Sequence, residues 1–396
     1  MSTTEPKKER SAVDVARDAF CRTFAERPEW SCRAPGRVNL IGGHVDYNDG
    51  VVLPVAVALE IALAFRARTD RLVRIYSADF DETTEFDIDD LTPGSLPGWM
   101  AYPAGVAWAM SGAGLPLRGL DAAVAGNIPI AAGLSSSAAL EVAFAAAFRQ
   151  VSDLDLPELE LAKLGQAAEN QFVGVRCGIM DQVTAACAEA EHALLLDCRS
   201  LHYRHVPLPP ALHIVTLDSG LERELRSSEY NKRRRECEEV VSRLAAVDED
   251  IHALRDVSPE QLGSLLRHLP PPLDRRARHV VGEIERVRLA ASALEHAETE
   301  RFGELMFASH RSLRDDYEVS SEELDGLVEL ARRAPGIVGA RLTGAGFGGC
   351  TVNVVSVALV EDFLSYVSEG YEKLFGRKPD ACVTGAASGV SVDRAG

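Results

Sequence analysis

A segment rich in glycine and small residues, 126–139, runs directly into an alanine-rich stretch with helical spacing. Such a junction places a loop at the start of a buried helix, where unpaired backbone N–H groups and the helix dipole favour an anion. The loop lacks the Gly-Lys-Ser/Thr ending of a Walker A loop and is not a dinucleotide-binding fingerprint. It predicts either a phosphate site of another kind or a helix whose serines cap its own N-terminus.

The rest of the chain alternates strand and helix patterns on both sides of a joint near residues 205–212. The length of 396 residues predicts two or possibly three domains, and we expect two α+β domains, residues 1–207 and 208–396. In the first half, helices are predicted over 14–26, 134–151 and 158–173, and strands over 30–34, 51–58, 61–68, 72–77, 194–197 and 203–207. In the second half, helices are predicted over 227–246 and 360–374, and strands over 213–218, 339–341, 351–355 and 381–384.

Charge and cysteine content exclude several classes of protein. With 42 Lys+Arg against 60 Asp+Glu the net charge is −18, which argues against nucleic acid and anionic membranes as partners. The basic run 232–235 is interleaved with glutamates and fits a solvated helix face. Eight cysteines without a CxxC pair and a polar N-terminus predict a reduced, cytoplasmic protein with no structural metal. The most apolar stretch, 51–65, is too short and too interrupted to span a membrane.

Three further segments carry polar side chains that could bind a ligand, or glycines that let the backbone approach one closely. Segment 34–50 concentrates polar side chains around an apolar core, as a polyhydroxylated ligand requires. Segment 169–182 contains Glu169 and Asp181, of which one could hold Mg²⁺ and the other accept a proton. A salt-bridged helix acid and an N-cap aspartate would explain the same two residues. Segment 343–349 has four glycines and fits either a ligand-contacting loop or a tight turn.

Together, these segments resemble the GHMP small-molecule kinases and, within them, the galactokinases. The chain reads GRVNLIGGHVDYNDG over 36–50, where the family has GRxNLIGEHTDYNxG, and CGIMDQ over 177–182, which matches in full. Residues 129–138 resemble the family's phosphate loop PLGAGLSSSA, and 230–237 resemble YNxRRxEC. Residues 309–320 and the 343–349 loop complete the set in the family's order.

The resemblance implies a two-domain GHMP kinase fold: an N-terminal α/β domain like ribosomal protein S5 and a C-terminal ferredoxin-like α+β domain, with the nucleotide in the cleft between them. It also implies transfer of the ATP γ-phosphate to the C1 hydroxyl of galactose. Asp181 would face that hydroxyl, either taking its proton or positioning it, and Arg37 would lie beside Asp181, keeping it ionised and offsetting phosphoryl charge.

The other site residues are also carried over from the resemblance. Mg²⁺ would be held by Ser137 and Glu169, with ATP oxygens and water completing its shell. The nucleotide would be contacted by Ser77, Trp99, Ala131, Ala132, Gly133, Leu134, Ser135, Ser136 and Ser137. The sugar would be contacted by Gly43, His44, Val45, Asp46 and Tyr230.

Two positions depart from the family pattern, Gly43 in place of Glu and Val45 in place of Thr. Loss of the Glu side chain opens space at the sugar's hydroxymethyl end, so a kinase for galacturonate or N-acetylgalactosamine is an alternative. An inactive homologue that binds galactose and ATP as a regulator is a further alternative, against which the joint presence of Arg37, Asp181, Ser137 and Glu169 argues. Small molecules are the expected partners, and the chain is expected to be a monomer or a weak dimer.

Overall fold

The computed structural model describes residues 10–129, 133–221 and 226–395, and its elements follow the alternation that the sequence predicts. The helices are α1 Ala12–Phe24, α2 Ala101–Gly112, α3 Ser136–Val151, α4 Glu158–Ala167, α5 Met180–Cys187, α6 Arg226–Ala245, α7 Pro259–Leu265, α8 Leu273–Glu295, α9 Thr299–Asp315, α10 Glu322–Arg333 and α11 Val360–Phe375. The strands are β1 Trp30–Ile41, β2 Val51–Ala67, β3 Leu72–Ser77, β4 Glu82–Asp87, β5 Leu120–Gly126, β6 His192–Asp197, β7 Tyr203–Pro207, β8 Leu212–Asp218, β9 Ile337–Leu342, β10 Cys350–Ser356, β11 Asp380–Thr384 and β12 Ser391–Arg394.

The first sheet is mixed and carries the alanine-rich helix α3 on one face. Its order is β12-β1-β2-β5-β3-β4, with β6 also paired to β2 and β7 to β6, and β3 and β5 run parallel. Helix α3 packs on β1 and β2 through a face of alanines and two phenylalanines, Phe144 and Phe148. The small alanine side chains let the helix lie close to the sheet, so the start of α3 is firmly placed.

The second sheet has the order β11-β8-β10-β9, and all its pairings are antiparallel. Chain order here is β8, a run of helices, β9, β10, α11 and β11, which is the β-α-β-β-α-β arrangement of ferredoxin-like folds. The expected architecture of the second half is therefore confirmed. The basic run 232–235 lies on α6, where Lys232 and Arg234 pair with Glu229 and Glu238 at helical spacing.

Strands β1 and β2 are longer than the sequence predicts. The strand predicted over 30–34 continues as β1 through Pro35 and Gly36, with a shift of register between Pro35 and Arg37, the kind of irregularity that tolerates proline in a strand. Strands predicted at 51–58 and 61–68 are one strand, because the polar Glu60 faces outward while the backbone stays extended and pairs with Pro35. This extension brings Arg37 and Asn39 into the interior.

The last strand crosses the predicted boundary between the two halves. β12 pairs with β1, so residues 391–394 belong to the first sheet although they end the chain. Helix α8 also contacts β1, β2 and β7 of the first half. Loops from the two halves therefore face each other, and the site forms where they meet. In the ranges that the structure describes, no helix is long and apolar enough to cross a membrane.

Candidate active site

A cavity of about 180 Å³ lies between the segment after β1, the loop before α5 and the glycine-rich loop after β9. This volume suits a ligand smaller than the drug-sized molecules that fill common pockets. The side chains and backbone that line it come from both halves of the chain: Arg37, Asn39, Gly42, Gly43, His44, Asp46, Tyr47, Cys177, Gly178, Met180, Asp181, Tyr230, Arg341, Gly344 and Ala345.

At one end of the cavity, Arg37 and Asp181 form a two-pronged salt bridge. Arg37 Nε donates to Asp181 Oδ1 at 2.6 Å, and Arg37 Nη2 donates to Asp181 Oδ2. The hydroxyl of Ser135 donates to Oδ2 at 2.5 Å, and Arg37 Nη1 donates to the carbonyl of Gly133 at 2.8 Å. Arg37 is buried, whereas the Asp181 side chain keeps 25% of its surface exposed. A fixed carboxylate therefore faces the cavity, as a group that accepts a substrate proton must.

The predicted phosphate loop ends beside this pair. Ser135 has a left-handed backbone (φ 58°) at the start of α3, and Gly133 also has positive φ (77°). The side chain of Leu134 is buried in the core, and its carbonyl accepts from the backbone N–H of Arg37 at 3.0 Å. Ser136 is the first residue of α3, so the positive, N-terminal end of the helix dipole lies next to the loop. The predicted contacts Ala131 and Ala132 lie outside the described residues.

Ser137 and Glu169, the predicted metal ligands, are brought together. The Ser137 hydroxyl hydrogen-bonds to the Glu169 carboxylate. Glu169 lies in a wide helical turn that follows α4 over Ala168–Val173, and its Oε2 accepts from Cys177 Sγ at 3.0 Å. Gln182 Nε2 donates to Glu169 at 2.7 Å and to Glu141 at 3.0 Å, so one amide joins two buried carboxyls. Burial raises the pKa of Glu169 despite these hydrogen bonds.

His44 lies in a cluster of tyrosines with both ring nitrogens engaged. Nδ1 is 2.8 Å from the hydroxyl of Tyr47, and Nε2 is 3.2 Å from the carbonyl of Ala345 in the glycine-rich loop. Burial lowers the pKa of His44 to about 3, so the ring is neutral. Because a carbonyl only accepts, Nε2 carries the proton and donates it to Ala345, which ties the first half to the second. The Tyr317 hydroxyl, 2.8 Å from that of Tyr47, extends the cluster.

Of the remaining predicted sugar contacts, Asp46 and Tyr230 line the cavity and Val45 does not. The Asp46 carboxylate lies against Gly178, so close that a Cβ added at position 178 would be 2.0 Å from the Asp46 Oδ2. Burial, and then the charge of Asp181, raises the pKa of Asp46 to about 6. Val45 is fully buried in the hydrophobic core and packs so close to Gly50 that a Cβ added at position 50 would lie 2.7 Å from the Val45 Cβ. Its side chain therefore packs in the core and does not face the cavity, and the contact of Val45 with the sugar stays a prediction.

Ser77 and Trp99 lie together but outside this cavity. The buried Ser77 hydroxyl accepts from the backbone N–H of Phe80 at 3.3 Å, and the Phe80 ring stacks on Trp99 with ring centres 6.1 Å apart. Trp99 Nε1 donates to Glu82 at 3.0 Å. This half-exposed aromatic pair beyond β3 is a surface on which a planar base could stack.

The residues that surround Gly43 could not be predicted from the sequence. Its backbone N–H donates to Glu283 at 3.1 Å, its carbonyl is 3.0 Å from His279 Nε2, and Arg341 lies beside its Cα. Glu283 and His279 lie on α8 and Arg341 on β9, far away in the chain. The family motifs include position 43 but not Glu283, His279 or Arg341. Hydrophobic periodicity does not reveal a buried charged residue on an amphipathic helix, so no other sequence signal pointed to these partners.

Comparison with curated proteins shows the chain's relatives. It is 48% identical over 374 residues to a protein named galactokinase from Roseiflexus sp. (strain RS-1), an alignment that covers 94% of this chain and 95% of that one. A galactokinase from Pasteurella multocida (strain Pm70) is 42% identical, with 95% and 98% of the two chains covered. The chain belongs to the galactokinase family.

Family models and a solved structure agree with this membership. Residues 18–67 match the galactokinase galactose-binding signature, 101–189 the N-terminal domain of GHMP kinases and 290–373 the C-terminal domain of GHMP kinases. The structure of Lactococcus lactis galactokinase complexed with galactose is similar, with a TM-score of 0.90, 37% identity, and 95% and 98% of the two chains covered. The predicted two-domain GHMP kinase fold of this galactokinase family member is thereby confirmed.

Proposed function

We propose that this chain is a galactose 1-kinase, converting galactose and ATP to α-D-galactose 1-phosphate and ADP. The observation that carries the proposal is the Arg37–Asp181 pair, fixed by Ser135 on the wall of a cavity of monosaccharide size and beside the start of α3. The names of the relatives and of the Lactococcus lactis complex supply galactose as the acceptor. The other site residues keep their predicted roles.

In the proposed reaction, Asp181 receives the C1 hydroxyl of the sugar. Its Oδ1 accepts one hydrogen bond from a described residue, Arg37, and so has capacity for the substrate hydroxyl. As the sugar oxygen bonds to the γ-phosphorus, the O–H bond breaks and the proton passes to Asp181, while the bond from the γ-phosphorus to the bridging oxygen breaks and ADP leaves. Arg37, fixed by Gly133, balances charge on the transferring group.

Ser137 and Glu169 provide a donor set that fits Mg²⁺. A hydroxyl and a carboxylate are hard oxygen ligands, and Mg²⁺ is commonly bound by one or two carboxylates together with substrate phosphates and water. In the described ranges, no group of three or more His, Cys, Asp or Glu side chains could hold a metal alone, so the phosphates are needed to complete the shell. Bound there, Mg²⁺ would neutralise phosphate charge. The net charge of −18 makes this neutralisation important for ATP binding.

Three further statements belong to the proposal. The chain is divided near residue 208 into two domains, with β12 returning to the first sheet. The protein is cytoplasmic, which is supported by cysteines that form no disulfide in the described ranges. It acts on small molecules as a monomer or weak dimer and does not bind nucleic acid.

The test is a measurement of ADP release with a panel of acceptors: galactose, N-acetylgalactosamine, arabinose and mevalonate. We expect turnover with galactose that exceeds turnover with the other three, and a product phosphorylated at C1 by ³¹P NMR. Turnover that is largest with N-acetylgalactosamine or mevalonate would contradict the proposal. Binding of galactose and ATP without ADP release would favour the regulatory alternative instead.

A further inference from the structure

Arg341, at the end of β9, is fully buried and lines the cavity, yet its guanidinium makes no hydrogen bond to the described residues. Its side chain has 0% exposure, and Nε, Nη1 and Nη2 are all buried without a hydrogen-bond partner. Burial lowers the pKa of Arg341 to about 10, which leaves it charged at neutral pH. A buried charge without hydrogen bonds is unfavourable, so these donors need an acceptor that the described residues do not provide.

Glu283 does not supply that acceptor. Its Oε1 is 3.9 Å from Arg341 Nη1, beyond hydrogen-bond distance. Oε1 instead accepts from the backbone N–H groups of Gly42 and Gly43 and from the hydroxyl of Ser309, and Oε2 accepts from Arg286 Nε at 2.7 Å. One carboxylate therefore faces two guanidinium groups. The wall of the cavity at this point carries positive charge that is not balanced.

At Gly43 no side chain stands between the backbone and the buried Arg341 guanidinium. A Cβ at position 43 would lie 2.5 Å from Arg341 Nη2 and 3.2 Å from Leu313, so the guanidinium occupies the place next to the backbone where a side chain would begin. The backbone of Gly43 is held on both sides, by its N–H donating to Glu283 and by its carbonyl accepting from His279. Position 43 itself therefore places no carboxylate next to Arg341.

We propose that Arg341 is a specificity-determining residue that donates to the C6 substituent of the acceptor sugar and extends the accepted substrates to hexuronic acids. Arg341 on β9 and Asp181 on α5 line the same cavity from different elements, so one monosaccharide in that cavity can meet both groups. A planar guanidinium pairs with a carboxylate through two parallel hydrogen bonds, and it also donates to a hydroxyl. The inference rests on the proposed sugar 1-kinase activity.

The test compares galactose and galacturonate as acceptors in the wild type, Arg341→Gln, Arg341→Lys and Arg276→Gln. We expect the wild type to phosphorylate both sugars. Arg341→Gln should lower kcat/KM for galacturonate about tenfold more than for galactose, mostly through KM, since one lost charged contact corresponds to about that factor. Arg341→Lys should restore part of the difference, because it restores charge without the planar fork.

Arg276→Gln is the matched control. Arg276 is equally buried, but it is hydrogen-bonded to Glu236 and the Asp316 carbonyl and does not line the cavity. It should lower the melting temperature without changing the ratio between the two sugars. An equal loss for both sugars in Arg341→Gln would overturn the inference.

Wild-type binding of galacturonate by calorimetry decides the matter if Arg341→Gln does not fold. Measurable binding supports the inference, and absence of binding while galactose is turned over overturns it and leaves the galactose kinase proposal intact. Turnover of galacturonate alone would overturn the galactose proposal and leave the role of Arg341 standing.

Discussion

Two buried arginines line the same cavity, and they differ in what the protein provides for them. Arg37 directs all three guanidinium nitrogens to acceptors, two on Asp181 and one on the Gly133 carbonyl. None of the three guanidinium nitrogens of Arg341 donates a hydrogen bond to a described residue. The Glu283 carboxylate beside it accepts from other donors. Around Arg37 the hydrogen bonds are complete before any ligand arrives, whereas Arg341 has only an ion pair with Glu283 at 3.9 Å.

The difference separates a group that is organised for chemistry from a group that is available for recognition. A catalytic carboxylate must be held in one position, and the two-pronged contact with Arg37 together with the Ser135 hydroxyl does this. An unpaired guanidinium instead gains most when a ligand brings its own acceptor. Substitutions at each end of the cavity and a change of pH separate the two roles.

Asp181→Ala should reduce kcat about 10³-fold, within the range expected for loss of a positioned general base. The melting temperature should fall only modestly, because Arg37 loses two acceptors but keeps its bond to Gly133 and the Asp181 side chain is one-quarter exposed. The matched control is Asp197→Ala, which breaks a similar two-pronged pair with Arg255 outside the cavity. That variant should lose stability and keep kcat. A melting temperature that falls further in Asp181→Ala than in Asp197→Ala would indicate a mainly structural role for Asp181.

Glu169→Gln should weaken Mg²⁺-dependent binding of ADP by about 10- to 100-fold, since a contact with a charged group contributes about 1.5–3 kcal/mol. Calorimetry with and without Mg²⁺ measures this without relying on turnover. Glu141→Gln is the control, because Glu141 shares the same Gln182 amide but makes no described contact with Ser137. The same loss in both variants would show that the network, and not Glu169 as a ligand, supports nucleotide binding.

The paired end of the site was largely predictable from sequence, and the unpaired end was not. Arg37, Asp181, Ser137 and Glu169 lie in contiguous segments whose residue types indicate their chemistry, and the family pattern names them. Arg341 meets Gly43 only because β9 and α8 fold back onto the segment after β1, a contact between residues about 300 positions apart in the chain.

Local structure was predictable where the intrinsic strand propensity of the residues agrees with the strand pairing that the fold imposes. β3 was predicted at its observed bounds, because its apolar residues alternate as in a half-buried strand. β5 was missed because its alanines and Asp121 are poor strand formers, and its position between β2 and β3 determines its conformation instead. The short β12 was missed for a similar reason, since pairing with β1 defines it.

The galactose KM should rise about tenfold between pH 7 and pH 5, because the pKa of Asp46 is raised to about 6 and the fraction ionised falls tenfold per pH unit below it. Burial and then the charge of Asp181 raise the pKa of Asp46, and the charge of Arg37 opposes them. Tyr230 and Cys198 also lie near the Asp46 carboxyl. Protonation removes an acceptor from the sugar site, so KM is higher at low pH. The raised folded pKa also means that stability contributed by Asp46 declines as pH rises from about 4 to about 6.

Asp46→Asn should have a flat KM profile over the same range at saturating ATP and Mg²⁺, with a KM near the low-pH value of the wild type. A wild-type KM that does not change between pH 5 and pH 7, or an equal slope in the variant, would assign the titration to another group. Asp46 interacts electrostatically with Asp181 and Arg37, so this profile reports on the paired end of the cavity.

Gly43→Glu should lower the galactose KM about fivefold, the effect of one added hydrogen bond of about 1 kcal/mol. The new carboxylate would accept from the sugar's 6-hydroxyl and pair with Arg341, so the unpaired end would come to resemble the Arg37–Asp181 end. Gly43→Ala is the control, since its Cβ displaces the Arg341 guanidinium, 2.5 Å away, without adding an acceptor. It should leave KM unchanged or raise it. The contrast between the two ends would fail if Glu and Ala at position 43 changed the galactose KM alike, because the charge of Arg341 would then be irrelevant to the sugar.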